Sequence, residues 1–208
     1  MATGSPRSSA ERVGQAGDRA SDPQPRSASE LVPGFVPEND TERALAEDPV
    51  LCAGWAWGRP RPGHPEGAVG VHVGHVLAGI DAWGESASRR LELRFLALVH
   101  DALKHEVRDC LPKAGENHHA MRARRHGERY TSDERLLSTL ELHDQPYTLW
   151  RRLRRRGKLD ERGFARMLER VADPPLFLRF VELDSSTEGK NPEPVCWLTG
   201  ELRRRGVA

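Results

Sequence analysis

Val69-Gly-Val-His-Val-Gly-His-Val-Leu-Ala-Gly-Ile-Asp-Ala-Trp83 decides the fold class. Its apolar side chains at Val69, Val73, Val76, Ile80 and Trp83 recur at three- and four-residue spacing, which places them on one face of a helix. Downstream, Leu91, Phe95, Leu98 and Ala102 repeat the pattern. Ser132 or Asp133 then opens a helix through Leu136, Leu137 and Leu140 toward His143. Further helices are predicted over 147–156, 160–171 and 174–184, separated by Gly157 and the Asp173-Pro-Pro break, with a last one over 193–204. No alternating strand pattern of useful length and no internal repeat is present. The expected fold class is all-α.

Upstream of Val69, the run Arg59-Pro-Arg-Pro-Gly-His-Pro65 must be a loop. Residues 41–68 read as a linker and packing segment, in which Thr41 could cap a short helix and Trp55 and Trp57 could pack on the domain. Residues 1–40 are rich in Ser, Pro, Gly, Ala and Arg, and such a segment buries too little apolar surface to offset its ordering entropy. It is expected to be a disordered tail, leaving 69–208 as the helical domain.

Composition narrows the function. The 208 residues carry 32 Lys plus Arg against 31 Asp plus Glu, a formal net charge of +1. That balance does not mark a dedicated nucleic-acid binder. No apolar stretch approaches the roughly 20 residues of a membrane span. The N-terminus lacks the apolar region of a secretory signal, and Glu11, Asp18, Asp22 and Glu30 make it too acidic for a transit peptide. The three cysteines, Cys52, Cys110 and Cys196, are widely spaced with no CxxC pair, so neither a disulfide framework nor a zinc knuckle is expected. These features fit the cytoplasm.

The chemistry concentrates in nine histidines. At the end of the second apolar helix stands Val99-His100-Asp101-Ala102-Leu103-Lys104, where imidazole nitrogen and carboxylate oxygen can be aimed at one cation. His72 lies on the flank of the Val69–Val76 stripe, facing another helix; for one histidine alone, a satisfied core residue is the simpler reading. Asp184 ends the apolar run Leu176 to Val181, and a carboxylate bordering a buried face needs a partner.

The order His…His-Asp…Asp resembles the signature of the HD superfamily of metal-dependent phosphohydrolases. The nearer likeness is to the HD domain of bacterial tRNA nucleotidyltransferases. His64-Pro-Glu-Gly-Ala-Val-Gly-Val-His72 is similar to that family's entry block, His72-Val-Gly-His-Val-Leu77 to its following helix, and Leu98-Val-His-Asp-Ala-Leu-Lys104 to its HD block. His143-Asp-Gln-Pro146 and the segment from Arg166 to Gly189 resemble later steps, so the likeness covers about residues 64–195. Leu183-Asp184-Ser-Ser-Thr-Glu-Gly189 is longer than the usual turn. The 63 residues before His64 are too few for the family's nucleotide-transferring domain, so nucleotide addition is not expected.

The resemblance implies an HD-domain helical bundle with a metal site made of His72, His100, Asp101 and Asp184. His72 is favoured over His75, which would stand close behind the ligands. Asp101 would also orient the nucleophile, and Lys104 would either hold a phosphate oxygen or simply complement a helix end. His118, His119 and His143 become candidates for a second metal or the phosphate, with Asp144 orienting His143. His64, His105 and His126 are assigned to the surface. The cofactor would be a divalent ion among Mn, Fe, Co, Ni and Mg.

The implied activity is hydrolysis, by a metal-activated water, of nucleotide or RNA-end phosphoesters, either phosphomonoesters or 2′,3′-cyclic phosphodiesters. Hydrolysis of nucleoside triphosphates or alarmones is the neighbouring possibility. The rival from another class is a catalytically inactive HD-type module that binds a nucleotide or RNA. Partners would be a nucleotide or phosphorylated small molecule, with RNA reached through the arginines of 122–125 and 151–158. Those clusters read equally as solvated helix faces, since aromatic interleaving is limited to Tyr147 and Trp150.

Overall fold

The computed structural model describes Met1 and residues 26–207. The expected disorder of residues 2–25 lies outside the described residues. The fold is all-α, and among the described residues the only β pairing is an isolated bridge between Arg61 and His64 in the proline-rich loop. No described helix is long and apolar enough to cross a membrane.

The helices run α1 Ala28–Leu31, α2 Asp40–Glu47, α3 Pro49–Ala56, α4 Val69–Ala82, α5 Ala87–Val99, α6 His119–Gly127, α7 Glu134–Leu142, α8 Gln145–Arg156, α9 Glu161–Arg170, α10 Pro174–Ser185 and α11 Glu193–Arg204. Short 3-10 turns at Lys104–Glu106 and Gly115–Asn117 connect α5 to α6. The later boundaries follow local chemistry. Asp133, Asp160 and Asp173 accept backbone N–H groups in the first turns of α7, α9 and α10. Gly157 ends α8 at φ 67°, a left-handed conformation that favours glycine. At α2 the capping side chain is Asn39, which accepts from Glu42 N, and not Thr41.

The domain begins earlier than its sequence suggests. Residues 26–40 are ordered rather than disordered: Leu31, Val32 and Phe35 are buried in the principal core. Two glycines of α4 let that segment approach, because a Cβ at Gly70 would lie 2.1 Å from Leu31 O and one at Gly74 would lie 2.7 Å from Pro33 O. Buried Arg94 locks it further, donating to Glu42 and to Val36 O. Nor is 41–68 a linker throughout. Trp55 of α3 is fully buried and donates its indole N–H to Leu98 O at 2.9 Å. Trp57 stays exposed, as do Trp83 and Leu91 from the predicted apolar stripes. Arg179 covers Trp83, its guanidinium 3.9 Å from the ring centroid.

Two apolar clusters form the core. One joins α1 to α7 with Leu176, Phe180 and Leu183 of α10; the other joins α8, α9 and α11 to Leu142 and to Phe177 and Val181 of α10. α10 therefore serves both clusters with different faces, and its last turn ends where they meet. α3 presses on the α5–α6 connection through Gly54, where a Cβ would stand 1.8 Å from Ala102 O.

Phe35→Ala is expected to cost about 3–5 kcal/mol in urea unfolding, the usual range for a buried phenylalanine; a disordered segment would show no change. Gly54→Ala should cost about 3 kcal/mol or more, because the added methyl meets backbone rather than a movable side chain.

Candidate metal centre

Two helices end in the same way. α5 is followed by His100-Asp101 and α7 by His143-Asp144. In each case the imidazole Nδ1 faces the carbonyl three residues back: His100 to Ala97 O at 3.0 Å, and His143 to Leu140 O at 2.8 Å. A carbonyl can only accept, so Nδ1 carries a hydrogen and Nε2 is the nitrogen that a neutral ring offers as a ligand. Both histidines are buried, and each Nε2 points into the space between the helices.

Around His100 Nε2 stand Asp101 Oδ2 at 3.5 Å and Asp184 Oδ1 at 3.6 Å. His72, from α4, reaches the same Asp184 oxygen with Nε2 at 2.8 Å. His100 Nε2 itself is buried without a hydrogen-bond partner among the described residues. Lone pairs and carboxylate oxygens in this arrangement suit a divalent cation, which would satisfy that nitrogen. His72, His100 and Asp184 can hold a metal ion, their donor atoms all lying within 4.8 Å of one another.

The other Asp101 oxygen, Oδ1, faces His119 Nε2 at 3.5 Å and His143 Nε2 at 3.7 Å, and these three residues form a second group of the same kind. Asp101 thus lies between two histidine groups and offers one oxygen to each. Lys104 donates to Asp101 Oδ2. His118, His119 and Asp144 form a third group by distance. There, however, His118 Nδ1 accepts the Ala120 N–H at 3.2 Å, capping α6. Its Nε2 therefore carries the hydrogen and turns it toward Asp144 Oδ2, 3.8 Å away, so it is a poor metal ligand. Of the adjacent pair, His119 is the one that lines the site.

The ionisation states follow from burial set against the neighbouring charges. Burial is the largest influence on Asp101 and favours its neutral form, but Lys104, His100 and His143 together outweigh it, holding the carboxyl well below the usual range. Burial likewise pushes Asp184 up, and His100, His72 and Lys190 overcome it. Burial pushes His119 down to about 2, leaving it neutral with a lone pair to offer. His143 is moved the other way: burial lowers it, yet neighbouring Asp101 more than compensates.

The structure thus gathers His72, His100, Asp101, Lys104, His119, His143 and Asp184. It does not gather His75, which is exposed on the outer face of α4. Nor does Asp144 orient His143, whose ring is held by Leu140 O; Asp144 instead lines the cavity beside the site. None of the three histidines assigned to the surface is free there: His105 Nδ1 donates to Ala102 O at 2.8 Å. His126 donates to buried Asp48 at 2.9 Å, and His64 pairs with Glu66 at 3.1 Å. Glu66, missed by sequence reasoning, has a buried side chain with Oε1 3.9 Å from His72 Nδ1, and its Oε2 has no partner among the described residues. It sits in a loop, where no periodicity marks a side chain as inward; its one signal is the His64-Pro-Glu66-Gly block.

A cavity of about 410 Å³ opens onto the two groups. Asp101, Lys104, His119, His143 and Asp184 form its floor, with His64 and Lys190 at one side and Tyr147, Pro146 and Val195 at the other. Comparison of the chain with protein-family models, curated proteins and solved structures finds no match.

Metal analysis of the purified protein should find divalent cation. Asp101→Ala, which removes the carboxylate shared by both groups, should lose it, whereas His75→Ala should retain it. Because His143 must lose a proton that Asp101 favours, affinity should fall as the pH is lowered from neutral.

Proposed function

We propose that this protein is a metal-dependent phosphohydrolase acting on nucleotide or nucleic-acid-end phosphoesters. The observation that carries the reading is the position of the Asp101 carboxylate, with one oxygen toward His100 and the other toward His119 and His143. The buried, partnerless His100 Nε2 supports it, as does the resemblance of the His72…His100-Asp101…Asp184 order to the HD superfamily.

On this reading His72, His100, Asp101 and Asp184 hold one cation, and Asp101, His119 and His143 can hold a second. A divalent cation bound there supplies positive charge beside the phosphoryl group and lowers the pKa of water. The mixed nitrogen and oxygen donor set suits Mn, Fe, Co, Ni or Mg. The protein's own groups do the rest. Asp101 is ionised and rigidly placed, able to accept a hydrogen bond from an attacking water. Lys104, half-buried at the cavity floor and paired with Asp101, places an ammonium where it can hold a phosphoryl oxygen. Pro146, Val181 and Val195 exclude water from one wall, which strengthens each charge interaction inside. Thr187 Oγ1 at 3.4 Å and Glu66 Oε1 at 3.9 Å stand behind His72, facing its Nδ1.

The alternative is a module of the same shape that binds a phosphoester without cleaving it. The Lys104–Asp101 pair is the observation in its favour, because an ammonium already meets part of the charge a cation would meet.

The test is turnover of phosphomonoesters, cyclic nucleotides and nucleoside triphosphates with Mn, Ni, Co or Mg. Metal-dependent product release should drop by more than about a hundredfold in Asp101→Ala. Folded, metal-loaded protein that turns over none of these substrates would leave the binding module as the function.

A further inference from the structure

The arginines separate into two populations. Arg122 pairs with Glu106, Arg124 with Glu134 and Arg125 with Glu116, so the 122–125 cluster is spent within the fold. On α8, Arg152 pairs with Asp160. Arg151, Arg154 and Arg155 are exposed, and no acidic side chain among the described residues comes within ion-pair distance of them.

Their placement is regular. Tyr147, Trp150, Arg151, Arg154 and Arg155 follow one another at i, i+3, i+4, i+7 and i+8, a single outward stripe, while Pro146 and Leu149 turn inward. The stripe starts at the catalytic cavity, because Tyr147 both lines that cavity and is 45% exposed. Its ring stacks on Trp150 with centroids 6.1 Å apart and an interplanar angle of 23°. Arg151 lies 5.6 Å from the Tyr147 centroid. At about 1.5 Å per residue, the eight steps from Tyr147 to Arg155 cover about 12 Å, room for two or three nucleotides.

Cations near a helix C-terminus meet its dipole, which accounts for basic residues in the last turn of α8. That effect does not reach back to Arg151, nor does it explain an exposed Tyr147 stacked on half-buried Trp150 at the opposite end beside the cavity. Aromatic faces followed by unpaired guanidinium groups are what successive bases and phosphates of an unpaired strand require.

We propose that the outer face of α8 is a track for single-stranded nucleic acid, which delivers a terminal phosphoester into the cavity. The proposal rests on the phosphohydrolase reading for what happens at the cavity floor, and it names the substrate class as an oligonucleotide end rather than a free nucleotide. A duplex is too wide for a cavity of about 410 Å³ and leaves no base free to stack on Tyr147.

The experiment is fluorescence polarisation with a short oligouridylate labelled at its 3′ end, across a salt series. Polyglutamate of equal charge serves as competitor. The triple variant Arg151→Gln, Arg154→Gln, Arg155→Gln should bind at least tenfold more weakly, and the slope of log affinity against log salt should flatten by about 2. Tyr147→Ala should weaken binding about 5- to 100-fold and leave the salt slope unchanged. Arg125→Gln, already committed to Glu116, should bind as the parent does. These side chains are exposed, and urea unfolding checks that each variant is folded. Unchanged binding in both the triple variant and Tyr147→Ala overturns the proposal. So does polyglutamate competing as well as unlabelled oligouridylate, since the surface would then take any polyanion. Polarisation reads binding and not turnover, so failure of the hydrolase reading leaves the measurement standing.

Discussion

Asp101 and Asp184 reach toward one imidazole nitrogen, His100 Nε2, at nearly equal distances inside a space that the helices close off. Carboxylates taken from water need charge partners close by, because removing solvent costs several kcal/mol per ion. Lys104 is the one ammonium within ion-pair distance of Asp101 among the described residues. Histidine rings supply the remaining contacts, and of these His119 is held neutral by its burial. The arrangement asks for a cation, and the surrounding fold can be understood as what holds these groups in position.

Helix ends perform that task. His100 and His143 each follow the last turn of a helix, and each ring is tied to the carbonyl three residues earlier. The tie fixes the tautomer and the direction of the ring together, so the ligand nitrogen is set by backbone geometry rather than by another side chain. Asp184 comes from α10, which packs on both apolar clusters and cannot shift relative to one without disturbing the other. Phe180, one turn before it, lies edge-on to His100 with ring centroids 5.3 Å apart. Groups 112 positions apart in the chain, His72 and Asp184, are thereby brought within 2.8 Å. Gly54 completes the frame by letting α3 touch the backbone just after the His100-Asp101 pair.

Much of this was legible in the chain because the relevant signals are local. Asp133, Gly157 and Asp173-Pro-Pro mark helix ends through hydrogen bonds and φ angles that a few residues determine, and α7, α8 and α10 are bounded where those signals put them. Depth was harder to read. Leu31, Val32 and Phe35 sit in a stretch whose average composition is polar, and their burial depends on Gly70 and Gly74, some forty residues onward, admitting their backbone. Trp83 and Leu91 fit an apolar period yet lie at its edge, where a helix turns to solvent. His72 and His75 are three residues apart on adjoining parts of one face, and only the packing of α4 against α10 separates the buried ring from the exposed one. The role of His118 was likewise hidden, because the hydrogen bond that fixes its tautomer comes from the backbone turn it caps.

Charge is distributed in a way that ties the floor of the cavity to its rim. Asp101, Asp144 and Asp184 line the same small space as Lys104 and Lys190, so the carboxylates oppose an incoming anion. The unpaired arginines lie outside, along α8, where solvent screening reduces each to a modest attraction that several must share. An anion is thus drawn to the rim by one set of charges and admitted to the floor only when another is neutralised. A divalent cation held by Asp101 and its neighbouring histidines would compete with Lys104 for the same carboxylate, and the ammonium would then be free to meet an anion in the cavity.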